Sequence, residues 1–221
     1  MVRVDSDWGL TVPTLPPRRR RGGPVIDIAV LASGSGTNLQ ALIDTPGIRP
    51  HISMVLSDRP GAYALTRAVG AGIETAVVGW GDHPDRDRFS SALADAVEQS
   101  GAKGVVMAGF MRILTPTFIH RFAGRILNVH PSLLPSFPGA RAVEQALERR
   151  VKMTGVTVHF VDEEVDHGPI IAQVEVPVLP GDTVESLHSR IQIAEHSLYP
   201  VVVEAFVQGR LTVDGRDVAW G

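Results

Sequence analysis

An amide and an imidazole stand two positions apart in the segment Asn128-Val129-His130-Pro131-Ser132-Leu133-Leu134-Pro135. Residues i and i+2 of a strand face the same side, so Asn128 and His130 share one face of a predicted strand end. The two prolines then stop regular structure and stiffen the loop. A carboxamide donor beside a titratable ring suits a reaction that builds negative charge on a carbonyl oxygen. The segment alone is equally consistent with a His-Pro turn whose asparagine bonds the local backbone.

A glycine-containing loop near the start of the chain is a second candidate site. It reads Ala32-Ser33-Gly34-Ser35-Gly36-Thr37-Asn38-Leu39 and lies between a predicted strand and a predicted helix. At that position, backbone N–H groups suit a phosphate, and the pattern favours a phosphomonoester held by Thr37 and Asn38. Leu39 occupies the third glycine position of a dinucleotide fingerprint, and no Gly-Lys-Ser/Thr follows. The alternative is a plain glycine turn in which Thr37 or Asn38 caps the helix.

An apolar segment with a single arginine, Met107-Ala108-Gly109-Phe110-Met111-Arg112-Ile113-Leu114, follows another predicted strand. Such a stretch suits the wall of a pocket for a flat heterocycle, with backbone groups bonding the edge of that heterocycle. Core packing followed by a solvated arginine explains the same pattern equally well.

The acidic segment Asp162-Glu163-Glu164-Val165-Asp166-His167-Gly168-Pro169 predicts a turn between two strands. It is a poor metal site because no spaced histidine pair accompanies it, and no metal is expected. Asp162, Glu163 and Glu164 fit a solvated loop. Asp166 is best placed to fold back on the sheet edge, where a carboxylate would orient a histidine and raise its pKa.

Hydrophobic periodicity predicts a single α/β domain. Beyond residue 25, strands are predicted over 26–31, 51–56, 75–78, 104–109 and 126–129, and helices over 38–43, 63–69, 86–99 and 117–121. This alternation indicates a Rossmann-like, mostly parallel twisted sheet flanked by helices. The C-terminal half adds antiparallel elements, with strands over 154–161 and 169–178, a long helix over 184–208 and a hairpin over 211–220.

Composition narrows the function classes. The 221 residues carry a net charge of −3 and only 5% aromatic side chains, so neither nucleic acid nor an anionic membrane is expected as a partner. The absence of cysteine excludes disulfides, thiolate zinc sites and a cysteine nucleophile. Residues 1–24, rich in proline and arginine, are predicted to form a flexible tail, and residues 25–221 the domain. A twin-arginine export signal is disfavoured because Asp27 interrupts the next apolar run.

The motifs taken together resemble the phosphoribosylglycinamide formyltransferases, folate-dependent enzymes of purine synthesis. The resemblance spans about residues 25–220 and rests on 33–40, 108–114, 128–135, 158–169 and 192–200, in matching order and spacing. It implies transfer of a formyl group from 10-formyltetrahydrofolate, as cosubstrate, to the amine of glycinamide ribonucleotide. It also implies a cytoplasmic homodimer.

The resemblance also implies roles for individual residues. The implied catalytic trio is Asn128, His130 and Asp166. The implied ribonucleotide-binding residues are Gly36, Thr37, Asn38, Pro131, Gln192 and Glu195. The implied folate-binding residues are Arg86, Met111, Arg112, Ile113, Leu114, Asn128, Glu163, Glu164, Val165 and Asp166. The implied mechanism has Asn128 and a protonated His130 donating to the oxyanion, with Asp166 keeping His130 charged.

Two departures from the family pattern bear on the folate site. His167 stands where glycine is common and is expected to narrow the pterin end, and Arg141-Ala142-Val143-Glu144 replaces a histidine-containing stretch. Three rival interpretations also exist. Methionyl-tRNA formyltransferases are expected to carry a further tRNA-binding domain, and formyltetrahydrofolate hydrolases an N-terminal regulatory domain. A non-catalytic binding module would need none of the three catalytic residues.

Overall fold

The computed structural model describes residues 24–221 and, before them, the backbone of two short strands. These strands, β1 (Val2–Arg3) and β2 (Thr11–Val12), pair antiparallel. A flexible tail was predicted over residues 1–24. Apart from these two strands and Pro24, that prediction concerns residues outside the described part of the chain.

A seven-stranded sheet forms the centre of the molecule. Its strands are β3 (Ile28–Leu31), β4 (Ile52–Ser57), β5 (Glu74–Val77), β6 (Gly104–Met107), β7 (Ile126–His130), β8 (Met153–Phe160) and β9 (Ile170–Pro177). Their order is β5-β4-β3-β6-β7-β8-β9; the first five pair parallel, and β8 and β9 join antiparallel. The predicted fold class is confirmed.

Helices connect the strands. They are α1 (Thr37–Ile43), α2 (Tyr63–Gly70), α3 (Arg86–Gln99), α4 (Pro116–Arg121), α5 (Ala142–Glu148) and α6 (Val184–Val207), with 3₁₀ turns at Arg49–His51 and Trp80–Asp82. The predicted terminal hairpin is present as β10 (Leu211–Asp214) and β11 (Asp217–Trp220). Among the described residues, no helix combines the length and the apolar character that crossing a bilayer requires.

Both faces of the sheet are buried. Ile28 and Val30 of β3 pack into one apolar cluster, while Ala29 and Leu31, which alternate with them, pack into another. Side chains of α1, α2 and α6 fill the first cluster, and those of α3 and α4 fill the second. Burial on both faces explains why the parallel strands are almost continuously apolar in sequence.

The predicted elements match the structure to within two residues at most ends, with one clear omission. Helix α5 was not predicted, because it follows a proline- and glycine-containing segment that indicates a loop. It begins after Arg141, which has a left-handed φ of 65°.

The order of the strands creates a crevice at the carboxyl edge of the sheet. β3 lies between β4 and β6, so the loops that follow β3 and β6 diverge on opposite faces. Two hydrogen bonds tie these loops together: Ser33 N donates to the Gly109 carbonyl at 3.1 Å, and Met111 N to Ser33 Oγ at 2.9 Å. A crevice of this kind is where open α/β sheets bind their ligands.

Candidate active site

Asn128 and His130 lie at the carboxyl end of β7, next to the crevice. Alternation along the strand puts both side chains on one face, as predicted. Asn128 is half-buried and His130 is buried, with 5% of its surface exposed. In the antiparallel register, Asn128 pairs directly with His159 of β8.

The carboxylate of Asp166 reaches both residues from the loop between β8 and β9. Its Oδ2 lies 3.2 Å from His130 Nδ1 and accepts a 2.7 Å hydrogen bond from the Gly139 amide. Its Oδ1 lies 3.4 Å from Asn128 Nδ2 and 3.6 Å from His159 Nε2. Asp166 has a left-handed φ of 52°, a conformation that costs a residue with a side chain about 1 kcal/mol. The structure therefore brings the predicted trio together, while their chemical roles stay predictions.

The burial of His130 affects its protonation in the free protein. Burial lowers the pKa of His130 below its ordinary value, against the opposing effects of the Asp166 charge and the Phe137 carbonyl. The neutral ring is therefore favoured in the free protein at neutral pH. Nε2 lies 2.8 Å from the Phe137 carbonyl oxygen and Nδ1 faces Asp166. When the ring gains a proton, both nitrogens carry a hydrogen and each of them faces an acceptor.

Asp166 itself stays ionised despite partial burial. Burial opposes its ionisation, but His159, His130 and the Gly139 amide together outweigh that cost and hold the pKa of Asp166 below its ordinary value. A fixed negative charge therefore stands beside the His130 ring, where it stabilises the imidazolium that forms when the ring takes a proton.

His159 was assigned no role from the sequence. It is 1% exposed, its Nδ1 lies 2.7 Å from the Phe160 carbonyl oxygen, and its Nε2 lies 3.4 Å from Asn128 Nδ2. Its Nε2 therefore lies between the Asn128 amide and the Asp166 carboxylate. The Asn128 amide is thus held by both His159 and Asp166 at the wall of the cavity.

A cavity of about 440 Å³ opens beside these residues. That volume is within the range of small-molecule sites. Asn128, His130 and Asp166 line it. The remaining predicted folate residues that line it are Met111, Arg112, Ile113, Leu114, Glu163, Glu164 and Val165. Met111 and Ile113 are exposed apolar side chains, 67% and 57%, so this rim suits an aromatic ligand.

The two predicted folate arginines are placed differently. Arg112 lines the cavity, and its Nε donates to Asp58 Oδ2 at 2.7 Å while its guanidinium lies 4.8 Å from the centre of the Trp80 ring. Asp58 has a fully buried side chain, so this pair holds Arg112 firmly. Arg86 is exposed at the start of α3 and is not among the residues that line the cavity, so its folate role stays a prediction.

The predicted ribonucleotide residues form a second group. Asn38 Nδ2 donates to Glu195 Oε2 at 2.9 Å, which joins the first turn of α1 to α6 across 157 positions of sequence. Burial raises the pKa of Glu195 to about 7. Gln192 precedes Glu195 by three positions on α6 and is half-buried. Pro131 is the one residue of this group that also lines the cavity.

Of the two departures from the family pattern, only one faces the cavity. Arg141 lines it, next to Gly139. His167 is not a lining residue: its Nδ1 lies 3.0 Å from Asp162 Oδ2, and its carbonyl accepts a 2.7 Å hydrogen bond from Arg216. Within residues 24–221 no cluster of three or more histidines and acids is placed to hold a metal ion.

Comparison with known proteins agrees with this arrangement. A model described as formyl transferase matches residues 26–203. The chain belongs to this family. Phosphoribosylglycinamide formyltransferase of Escherichia coli is 42% identical over 198 residues, which cover 88% of this chain and 93% of that protein.

Two further relatives extend the comparison. The crystal structure of glycinamide ribonucleotide transformylase 1 from Symbiobacterium toebii superposes on the formyl transferase fold of this chain with a TM-score of 0.85 and 48% identity, covering 89% of this chain and 94% of that one. The trifunctional purine biosynthetic protein adenosine-3 of Bos taurus is 45% identical over 198 residues. The chain spans about a fifth of the length of that trifunctional protein (20%).

Proposed function

We propose that the protein transfers a formyl group from 10-formyltetrahydrofolate to the amine of glycinamide ribonucleotide. The products are formylglycinamide ribonucleotide and tetrahydrofolate, in de novo purine biosynthesis. The observation that carries the proposal is that Asn128 and His130 both contact the Asp166 carboxylate on the wall of the cavity. The named relatives that match nearly their whole length support the choice of substrates.

The folate substrate suits the cavity. Its aromatic portion would contact the exposed apolar rim of Met111 and Ile113, and its polar groups would meet backbone and acidic groups of residues 162–166. The ribonucleotide would lie on the side of the turn at Gly36, with Pro131 between the two substrates. Holding both substrates side by side removes much of the entropic cost of a bimolecular reaction.

The chemistry centres on the formyl oxygen. When the neutral amine attacks the formyl carbon, negative charge develops on that oxygen, and the Asn128 amide would donate to it. His130 starts neutral in the free protein. It would therefore exchange the Phe137 carbonyl for substrate at Nε2, take the proton of the attacking amine there, become the second oxyanion donor, and return the proton towards the departing folate nitrogen. Asp166 would orient the ring and stabilise its charged form.

A three-way assay tests the proposal. The purified protein is incubated with 10-formyltetrahydrofolate alone, with added glycinamide ribonucleotide, and with added methionyl-tRNA, and products are identified by mass spectrometry. The ribonucleotide is expected to gain one formyl group while tetrahydrofolate forms in equal amount. Tetrahydrofolate formed without an acceptor would indicate a hydrolase, and formylated tRNA a different transferase. Binding without turnover in all three arms would leave only a folate-binding module.

The proposal also includes a homodimer in the cytoplasm, without nucleic acid or membrane as a partner. The family resemblance supports the dimer, and the purine pathway supports the location. Sedimentation equilibrium across a concentration series is expected to give twice the 23.7 kDa mass of the chain. A concentration-independent monomer would exclude the dimer.

A further inference from the structure

Helix α2 holds the turn between β3 and α1 from one side. The Gly34 carbonyl accepts a 3.1 Å hydrogen bond from Ala64 N, and the Ser35 carbonyl accepts a 2.8 Å hydrogen bond from Arg67 Nε. Ala64 also packs against Gly36, which has a φ of 71°: a Cβ placed there would lie 2.7 Å from the Cα and Cβ of Ala64. Two consecutive carbonyls of the turn therefore point at α2.

The direction of these carbonyls fixes the direction of the amides. In a planar trans peptide the C=O and N–H bonds point to opposite sides. Because the Gly34 and Ser35 carbonyls face α2, the N–H groups of Ser35 and Gly36 face away from it. Several amides on one side of a turn form a concave donor group that suits an anion.

Arg67 is itself held in place. Its guanidinium lies 4.9 Å from the centre of the Tyr63 ring, and its Nη1 donates to Gln40 Oε1 of α1 at 3.0 Å. The side chain is half-buried, and its positive charge adds to the effect of burial in lowering the pKa of His196 on α6. The charge of Arg67 thus acts on the space between α2, the turn and α6.

The proposed ribonucleotide group lacks a positive charge of its own. Its members are Gly36, Thr37, Asn38, Pro131, Gln192 and Glu195, which include one acid and no base. A phosphomonoester carries a charge of about −1.5 to −2 at neutral pH. Binding it with neutral donors alone leaves that charge unmatched, and Arg67 is a cation bonded directly to the turn.

We propose that Arg67 is a positioning residue for the phosphate of the ribonucleotide substrate. It orients the Ser35–Gly36 peptide so that its N–H faces the phosphate, and it supplies positive charge from behind the turn. This inference rests on the proposed function, because it requires a phosphorylated substrate at this turn.

The test compares two substrates that differ only in the phosphate. Arg67→Gln and Arg67→Lys are assayed with glycinamide ribonucleotide and with its dephosphorylated ribonucleoside. For Arg67→Gln, KM for the ribonucleotide is expected to rise roughly 10- to 100-fold, as for loss of a charged hydrogen bond. The kcat and the KM for folate should stay within about twofold, and kcat/KM for the ribonucleoside should hardly change. Arg67→Lys, which keeps the charge, should recover part of the loss.

Arg49 offers a matched control. Its Nη2 donates to the carbonyl of Ala71, the C-cap residue of α2, at 2.8 Å, which is the same kind of contact away from the turn between β3 and α1. Arg49→Gln is expected to leave KM for both substrates unchanged. Thermal unfolding of each variant shows whether any effect reflects a loss of folded protein.

The possible outcomes separate the two claims. Equal losses on the ribonucleotide and the ribonucleoside, or a KM for the ribonucleotide that does not move, would overturn the role of Arg67. If Arg67→Gln does not fold, Arg67→Lys decides alone: it loses the Nε geometry, so an unchanged KM for the ribonucleotide refutes the inference. A wild-type protein that does not formylate the ribonucleotide refutes the proposed function itself.

Discussion

His159 Nε2 lies 3.6 Å from Asp166 Oδ1, on the opposite side of the carboxylate from His130. The carboxylate is therefore held between two buried imidazoles, one on β7 and one on β8. The contact with His159 also contributes to the low pKa of Asp166, since it offsets part of the cost of burial. Its position indicates that His159 keeps Asp166 charged and aligned for His130.

Replacement of His159 tests this relationship. His159→Ala should lower kcat by about 10- to 100-fold, because Asp166 loses a polar contact that helps to keep it charged. The pKa of Asp166 should rise, so the acidic limb of the kcat profile should move to higher pH. His188→Ala is the control, since His188 is exposed on α6. An unchanged pH profile with a lowered kcat would indicate a packing role instead.

Removal of the Asp166 charge should have a larger effect. Asp166→Asn and His130→Ala should each lower kcat by about 10²- to 10⁴-fold while the fold is kept, as for loss of an acid–base group. Because the Asp166 charge raises the pKa of His130 against burial, Asp166→Asn should lower that pKa further. NMR titration of the His130 ring measures the shift directly. Near-normal turnover in either variant would exclude the assigned roles.

The sequence predicted the trio of Asn128, His130 and Asp166, but it did not indicate that His159 lies beside them. Asn128 and His130 are two positions apart on one strand, so their shared face follows from strand geometry alone. His159 gave no comparable signal, because seven of the eight residues of β8 are buried and no alternation marks which side chains face the site. Its antiparallel pairing with Asn128 depends on sheet order, which short apolar runs do not determine.

The protonation state of His130 and the contact that Arg67 makes from α2 also could not be predicted from the sequence. The prediction of a protonated His130 concerned the reacting complex and stays a prediction; that burial lowers the pKa of the ring in the free protein depends on tertiary packing and could not be predicted. Arg67 occupies an ordinary polar position of an amphipathic helix. Its contact with Ser35 depends on how α2 packs against the turn, which the sequence does not determine. Residues that act together through long-range contacts of this kind lie many positions apart in the sequence.

The C-terminal hairpin braces the loop that carries Asp166. Arg216, in the turn between β10 and β11, donates from Nη2 to the His167 carbonyl at 2.7 Å, directly after Asp166. Arg216→Ala should therefore raise KM for folate by about two- to tenfold, a modest effect because the contact is exposed. KM for the ribonucleotide should not change.

Two other variants isolate the contribution of this brace. Arg125→Ala removes an exposed arginine that also donates to a backbone carbonyl, that of Lys103, and should leave KM for folate unchanged. His167→Ala keeps the carbonyl that Arg216 contacts, so its effect should be smaller than that of Arg216→Ala. A larger effect of His167→Ala would mean that the ring, rather than the carbonyl, holds the loop.

Glu195 should make the stability of the protein depend on pH. Burial raises its pKa to about 7 from an ordinary value of 4.5, so the folded state binds its proton more tightly than the unfolded state does. The stabilisation from that proton is fully present below about pH 4.5 and is lost as pH rises through 7. Between pH 5 and 9 the loss should amount to about 2–3 kcal/mol.

Glu195→Gln removes this titration but keeps a polar side chain beside Asn38. Urea unfolding of both proteins at several pH values gives the difference in unfolding free energy, in which contributions from His130 and other shared groups cancel. The wild-type protein should lose stability relative to Glu195→Gln as pH rises from 5 to 9, with most of the change below pH 8. Two parallel curves would show that Glu195 is already ionised in the folded protein, with water or a neighbouring donor stabilising its charge.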